Sequence, residues 1–319
     1  TPDAGVGRPQ RRFFASHHPT AVSRRTYCTR HFSKVYHSLR VADTQGLFET
    51  NPSFFCQQKL MRHEYKYYVP VFHLATLRSM LLPFVQPDRY AALQPEHHYT
   101  VRSIYFDTPD LEMYHTKREH IAHRMKVRLR GYNLGGDTAP VFFEIKRKYE
   151  GPILKNRATM PFESVKNIFQ GASVDTYLPE TNKADNVRRF FYQLYTRRLR
   201  PVVTCIYERE AFISKVIDLD NNLRISLDKN LRSVPFPAVS ELFTERDLRY
   251  PLEQQFILEI KFNTYCPAWL KPILSMLELQ KAPASKYVLC MDSQPSIQAG
   301  RFRGVSLRQR PAGLNDMRH

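Results

Sequence analysis

The ten residues HRMKVRLRGY (123–132) place Arg124, Lys126, Arg128 and Arg130 on every second position, with Met125, Val127 and Leu129 between them. Successive side chains of a β-strand point to opposite faces. This stretch is therefore a strand with one cationic face and one apolar face. The apolar face must be buried. The cationic face either meets water or lines something strongly anionic.

The same pattern recurs along the chain. RHEYKY puts Arg62, Glu64 and Lys66 on one face, and FFEIKRK sets Glu144, Lys146 and Lys148 opposite Phe143 and Ile145. LKNRAT aligns Lys155 with Arg157, and YEREA places Arg209 on the face of Cys205 and Tyr207. LRISLD aligns Arg224, Ser226 and Asp228, while LEIKF sets Glu259 and Lys261 opposite Leu258 and Ile260. For any one strand, a solvated polar face is the ordinary explanation. Many strands sharing Lys- and Arg-dominated faces point instead to a closed sheet with a cationic lumen. Such a lumen repels itself unless an anion fills it. Its Glu residues then serve as internal counter-charges and as oxygen ligands for a hard cation.

The 319 residues suffice for one large or two ordinary domains. A formal charge of +18 suggests a polyanionic partner. Residues 1–58 are Arg-rich and acid-poor with no sustained period, and read as a basic, flexible extension. That composition is shared with transit peptides. From residue 60 the chain turns regular. Strands are predicted at 61–69, 99–107, 123–132, 140–149, 153–160, 200–212, 215–220, 222–228 and 255–262, with helices at 71–81, 162–170, 184–199 and 267–277. The stretch 285–291 closes this region, and 293–319 is a basic tail. There is no βαβ rhythm and no GxxxxGK[ST] phosphate loop. The fold class expected is α+β: a closed antiparallel β-barrel with peripheral helices. Five scattered cysteines, with no CxxC pair, suggest a reducing compartment. No apolar run approaches the roughly 20 residues that span a bilayer.

RHEYKY, YTVRSIYFDTPDL, RMKVRLRGY, FFEIKRK, YEREAF, LRISLD, LEIKF and SKY occur in this order. Together they resemble the VTC domain, the polyphosphate polymerase module of vacuolar transporter chaperones, within the triphosphate tunnel metalloenzymes (CYTH-like). The resemblance covers about residues 59–292. It implies a barrel enclosing a tunnel in which a metal-bound triphosphate sits, so that the cations of 123–132 face inward. Hydrolytic tunnel enzymes typically begin with ExExK; here the corresponding stretch is Arg62-His63-Glu64-Tyr65-Lys66, with Arg in place of one carboxylate. That departure agrees with the polymerase branch.

The resemblance implies an enzyme that transfers the γ-phosphoryl group of ATP to a growing polyphosphate chain. The alternatives are a tunnel triphosphatase and a non-catalytic module for polyphosphate or inositol phosphates. Arg128, Arg130, Lys146, Arg209 and Arg224 are the expected catalytic cations. Lys66, Arg102, Arg124, Lys126, Arg157, Lys261 and Lys286 are the expected substrate contacts. Glu259, then Glu144 and Glu64, are the expected ligands of Mn²⁺ or Mg²⁺. Basic residues that alternate along strands, without interleaved exposed aromatics, argue against a nucleic-acid partner. The location implied is cytoplasmic, free or held at a membrane by a partner.

Overall fold

The computed structural model describes residues 62–149, 153–178, 183–216 and 220–298, together with Asp218. The expected extension 1–58 and most of the expected tail lie outside the described residues. No helix among the described residues is long and apolar enough to cross a membrane.

Nine strands form one antiparallel sheet: β1 (His63–Pro70), β2 (Val85–Pro87), β3 (His98–Asp107), β4 (Arg124–Tyr132), β5 (Pro140–Lys148), β6 (Ile153–Pro161), β7 (Arg200–Ser214), β8 (Arg224–Pro235) and β9 (Gln255–Phe262). Their order is β1-β9-β8-β7-β3-β4-β5-β6, with β2 paired to the far end of β7. The helices are α1 (Leu74–Leu81), α2 (Glu112–Arg118), α3 (Phe162–Phe169), α4 (Ala184–Thr196), α5 (Leu270–Met276), α6 (Lys286–Asp292) and α7 (Pro295–Gln298).

The apolar halves of the alternating strands bury against helices on the convex face. Ile104, Phe106, Val127, Leu129, Phe143 and Ile145 pack under α3 and α4. Those helices offer matching stripes: Phe162, Val165 and Ile168 on one, Val187, Phe190, Phe191 and Leu194 on the other. Their spacing of three and four residues is the signature of one buried helix face. Tyr67, Val69, Ile225, Leu227, Leu258 and Ile260 pack likewise against Leu77 and Leu81 of α1 and Leu270, Ile273 and Leu274 of α5. The concave face holds a third cluster, in which Tyr287, Cys290 and Met291 of α6 pack on Val101, Tyr105, Val203, Cys205, Tyr207 and Leu231. Helix α6 thus lies inside the curl of the sheet.

The expected closed barrel is not what forms: β1 and β6 end the strand order and do not pair with each other. Other groups occupy the edges that closure would need. Tyr67 bridges to Lys281, and the Ala282 N–H donates to the Lys66 carbonyl, so the segment before α6 lies along the free edge of β1. At β6 the Asn186 amide of α4 donates to the Arg157 carbonyl. These contacts take up backbone groups that pairing of the two edges would need. The sheet is a curled antiparallel sheet with peripheral helices.

Two further differences concern β7, β8 and α6. Strand β7 ends at Ser214, before the expected strand 215–220, and β8 begins at Arg224, two residues into the expected strand 222–228; Ile213 pairs with Arg224 across the intervening turn. Strand β8 then runs on to Pro235 through Asn230, whose φ of 50° is left-handed. The β7–β8 register shifts between Ile206 and Glu208, opposite this bulge. The stretch 285–291 is helical. A turn follows β3 at DTPD (107–110), and Asp107 accepts hydrogen bonds from the backbone N–H groups of Thr108, Met113 and Tyr114, which fixes the start of α2.

Candidate active site

Strand pairing decides which side chains share the concave face. Glu64 lies opposite Lys261 and Lys66 opposite Glu259 across β1–β9. Lys126 lies opposite Lys146 and Arg128 opposite Glu144 across β4–β5. Each apolar neighbour is consumed by the convex cores, so these polar residues are forced inward. They line a cavity of about 410 Å³ that takes residues from both edge strands, β1 and β6, and from the segment 282–286. Its wall carries thirteen lysines and arginines and only two carboxylates, Glu64 and Glu259.

Of the residues expected from sequence, the cavity brings together Glu64, Lys66, Arg124, Lys126, Arg128, Arg130, Lys146, Arg209, Glu259, Lys261 and Lys286. Four are placed elsewhere. Arg102 is on the convex face, where its guanidinium donates to Glu245 at 2.6 Å and to the Asn133 carbonyl at 2.9 Å. On β3 it is Ser103 and Tyr105 that face the concave side. Arg224 shares the face of Lys261 by register but lies exposed at the start of β8, outside the cavity wall. Arg157 lies over the Phe142 ring at 3.9 Å and is half exposed. Glu144 is buried behind the wall, boxed by three arginines: Arg128 Nε at 2.6 Å, Arg157 at 3.4 Å and Arg130 at 4.0 Å.

The wall also contains residues to which no site role was assigned from sequence: Lys117, Arg147, Lys148, Lys155, Tyr105, Tyr207 and Ser285. Lys148 and Lys155 share the same strand alternation, so their signal was present. Lys117 comes from α2, and no pattern marked it. The Tyr105 hydroxyl accepts from Arg128 at 2.7 Å, and Ser285 Oγ lies 3.1 Å from Lys126 Nζ. Behind the wall, Asp228 holds Arg209 and Lys286.

So many cations in one space disturb each other. Lys146 is pushed down to about 6, first by the Arg128 charge and then by burial. Burial, with Lys66 and Arg128 beside it, lowers Lys126 to about 7. Burial lowers Lys261 to about 7 as well, against the pull of Glu64. The carboxylates respond in the opposite sense. Burial works against ionisation of Glu64, but Lys66 and Lys261 override it and hold it near 2. For Glu144, Arg128 and Arg130 override burial to the same value.

Two carboxylates converge on one cation. Lys261 Nζ contacts Glu259 directly and lies 3.5 Å from Glu64. No cluster of three or more His, Cys, Asp or Glu side chains occurs among the described residues. A hard divalent ion at this place would therefore draw its remaining ligands from a bound phosphate and water, as Mg²⁺ commonly does. Glu64 and Glu259 fit that role. Glu144 does not, because arginines surround its carboxylate.

The fold and site define a curled antiparallel sheet whose concave cavity is strongly cationic. The chain belongs to the VTC domain family, which it matches over residues 61–294. No curated protein matches it. Among solved structures it is similar to a candidate adenylate cyclase from Bacillus halodurans, with 14% identity over 70% of this chain and 94% of that one, at a TM-score of 0.39. It is also similar to a candidate adenylyl cyclase from Hippeastrum described as having a dominant triphosphatase activity. Identity there is 13% over 75% of this chain and 96% of that one, at a TM-score of 0.41.

Proposed function

We propose that the protein is an ATP-dependent polyphosphate polymerase: the γ-phosphoryl group of ATP passes to the terminal phosphate of a growing chain, and ADP leaves. The observation that carries this reading is the cavity wall, with thirteen cations against two carboxylates. A triphosphate brings the missing negative charge. Phosphoryl transfer asks mainly for that charge to be held and the reacting groups aligned.

Arg128, Arg130 and Arg209 suit bidentate grips on phosphate oxygens; Lys66, Lys126, Lys146, Lys261 and Lys286 act as movable point charges. Arg124 extends the same wall, and Arg157 and Arg224 flank it. No His or Cys lines the described cavity. A phosphate acceptor is already ionised, so it needs no general base. Glu64 and Glu259 would hold Mn²⁺ or Mg²⁺, which when bound neutralises charge on the phosphate oxygens.

The test is incubation with ATP and Mn²⁺, followed by gel analysis of polyphosphate and assay of ADP and phosphate. Long chains with equivalent ADP are expected. Free phosphate without polymer would identify a triphosphatase instead. Binding with no metal-dependent turnover would identify a polyphosphate or inositol-phosphate binding module.

A further inference from the structure

Asp228 has no exposed side-chain surface and stands behind the cavity wall. Its Oδ1 accepts from Arg209 Nε at 2.6 Å and its Oδ2 accepts from Arg209 Nη2 at 2.8 Å, a fork-on-fork pair. Lys286 Nζ lies 2.5 Å from Oδ2. Burial disfavours this charge, but Arg209 and Lys286 override it and hold the carboxyl well below its ordinary range. The two cations come from different elements, β7 and the start of α6, and both line the cavity. Asp228 is the group that ties them together.

Glu259 supplies an internal comparison. Its Oε2 faces the same two cations, but at 4.0 Å from Arg209 and 3.9 Å from Lys286. Two carboxylates thus add equal negative charge beside one pair of cations, and only Asp228 grips them.

We propose that Asp228 is a positioning residue, which fixes the Arg209 guanidinium and the Lys286 ammonium in one orientation toward a bound phosphate chain. This deepens the reading above and rests on its anion-binding part, not on polymer synthesis. Charge and position make opposite demands. If Asp228 were only a counter-charge, removing it would leave the cavity more cationic and tighten a polyanion. If it positions Arg209 and Lys286, removing it lets both side chains turn away, and binding weakens.

The experiment measures the affinity of metal-free tripolyphosphate by calorimetry on the full chain, at fixed pH and salt. Asp228→Asn and Glu259→Gln remove the same charge. Positioning predicts a loss of about tenfold or more for Asp228→Asn, and a smaller loss or a gain for Glu259→Gln, which frees Lys261 alone. Equal tightening in both would overturn the proposal. Asp228→Glu keeps the charge and moves the carboxylate by one methylene. Positioning predicts weakened binding there too, and wild-type affinity in Asp228→Glu overturns the idea even if Asp228→Asn does not fold. If neither variant folds, Asp228 is structural and the proposal falls. A wild-type protein that binds tripolyphosphate but makes no polymer sinks the polymerase reading and leaves this inference standing. No binding by the wild type overturns both.

Discussion

Arg128 and Lys146 are neighbours on the concave face with opposite electrostatic standing. Arg128 is buried, donates to Glu144 at 2.6 Å and to the Tyr105 hydroxyl at 2.7 Å, and so keeps a partner for its charge. Removing Arg128 takes away the nearest partner of Glu144 but leaves Arg157 at 3.4 Å and Arg130 at 4.0 Å beside that carboxylate, so the cost falls below the about 3–5 kcal/mol of breaking a lone buried pair. Arg128→Ala should therefore lose phosphate binding and about 1.5–3 kcal/mol of stability, the contribution of its charged hydrogen bond to Glu144, read by denaturant melts. Lys146 has no such relief, since Arg128 is the largest cause of its low pKa near 6. An unfolded lysine titrates near about 10.4. Between those values the unfolded chain binds more protons than the folded one, so stability rises with pH across that window. The penalty is full below pH about 6 and gone above about 10.4. Lys146→Met should raise the melting temperature at pH 7 and flatten that rise, while weakening tripolyphosphate binding. A variant that melts lower than the wild type at pH 7 would show that Lys146 is held by a stabilising contact.

Helix α6 carries Lys286 into the cavity, so the anchoring of α6 matters to the site. Its main tie is Tyr287, whose hydroxyl donates to the fully buried Asp107 at 2.5 Å and whose ring stacks on Tyr105 at 4.8 Å. Tyr287→Phe keeps the stacking and removes the hydrogen bond. A bond to a buried carboxylate contributes about 1.5–3 kcal/mol, and that loss should appear in the melt together with weaker tripolyphosphate binding. Unchanged affinity would mean that α6 holds Lys286 without this tie. At this scale the sequence was readable where a strand has one wet and one dry face. The period of two in 123–132, 140–149 and 255–262 placed Arg128, Lys146 and Glu259 on the correct side, because the opposite residues had to enter a core. It failed at β3, which is buried on both faces for most of its length, so alternation could not tell whether Arg102 or Ser103 faces inward. It failed again in β8, where the bulge at Asn230 breaks the phase and hides the second half of the strand. Edge closure was not legible either. Whether β1 meets β6 depends on Lys281, Ala282 and Asn186, which carry no strand pattern and lie far away along the chain.

The whole molecule joins these effects through its charge. Among the cations of the wall alone, Lys126, Lys146 and Lys261 sit near 7, 6 and 7, so at pH 8 each is largely neutral. A polyphosphate chain brings negative charge beside them, which favours their protonated forms. Binding should therefore take up protons from solution, up to one for each of these lysines. By linkage, affinity must fall as pH rises above about 7, by up to about tenfold per pH unit for each lysine that charges. Calorimetry in buffers of different ionisation enthalpy measures the uptake directly. The ligand has protons of its own, so the comparison that isolates the protein is wild type against Lys146→Met at one pH. The ligand's contribution cancels in that difference, and the variant should take up about one proton fewer. High salt should weaken binding in both proteins without changing the difference, because screening acts on exposed charges more than on those within the cavity. Equal proton uptake by the two proteins would mean that Lys146 does not charge on binding, and the other cations of the wall would then carry the polyanion affinity.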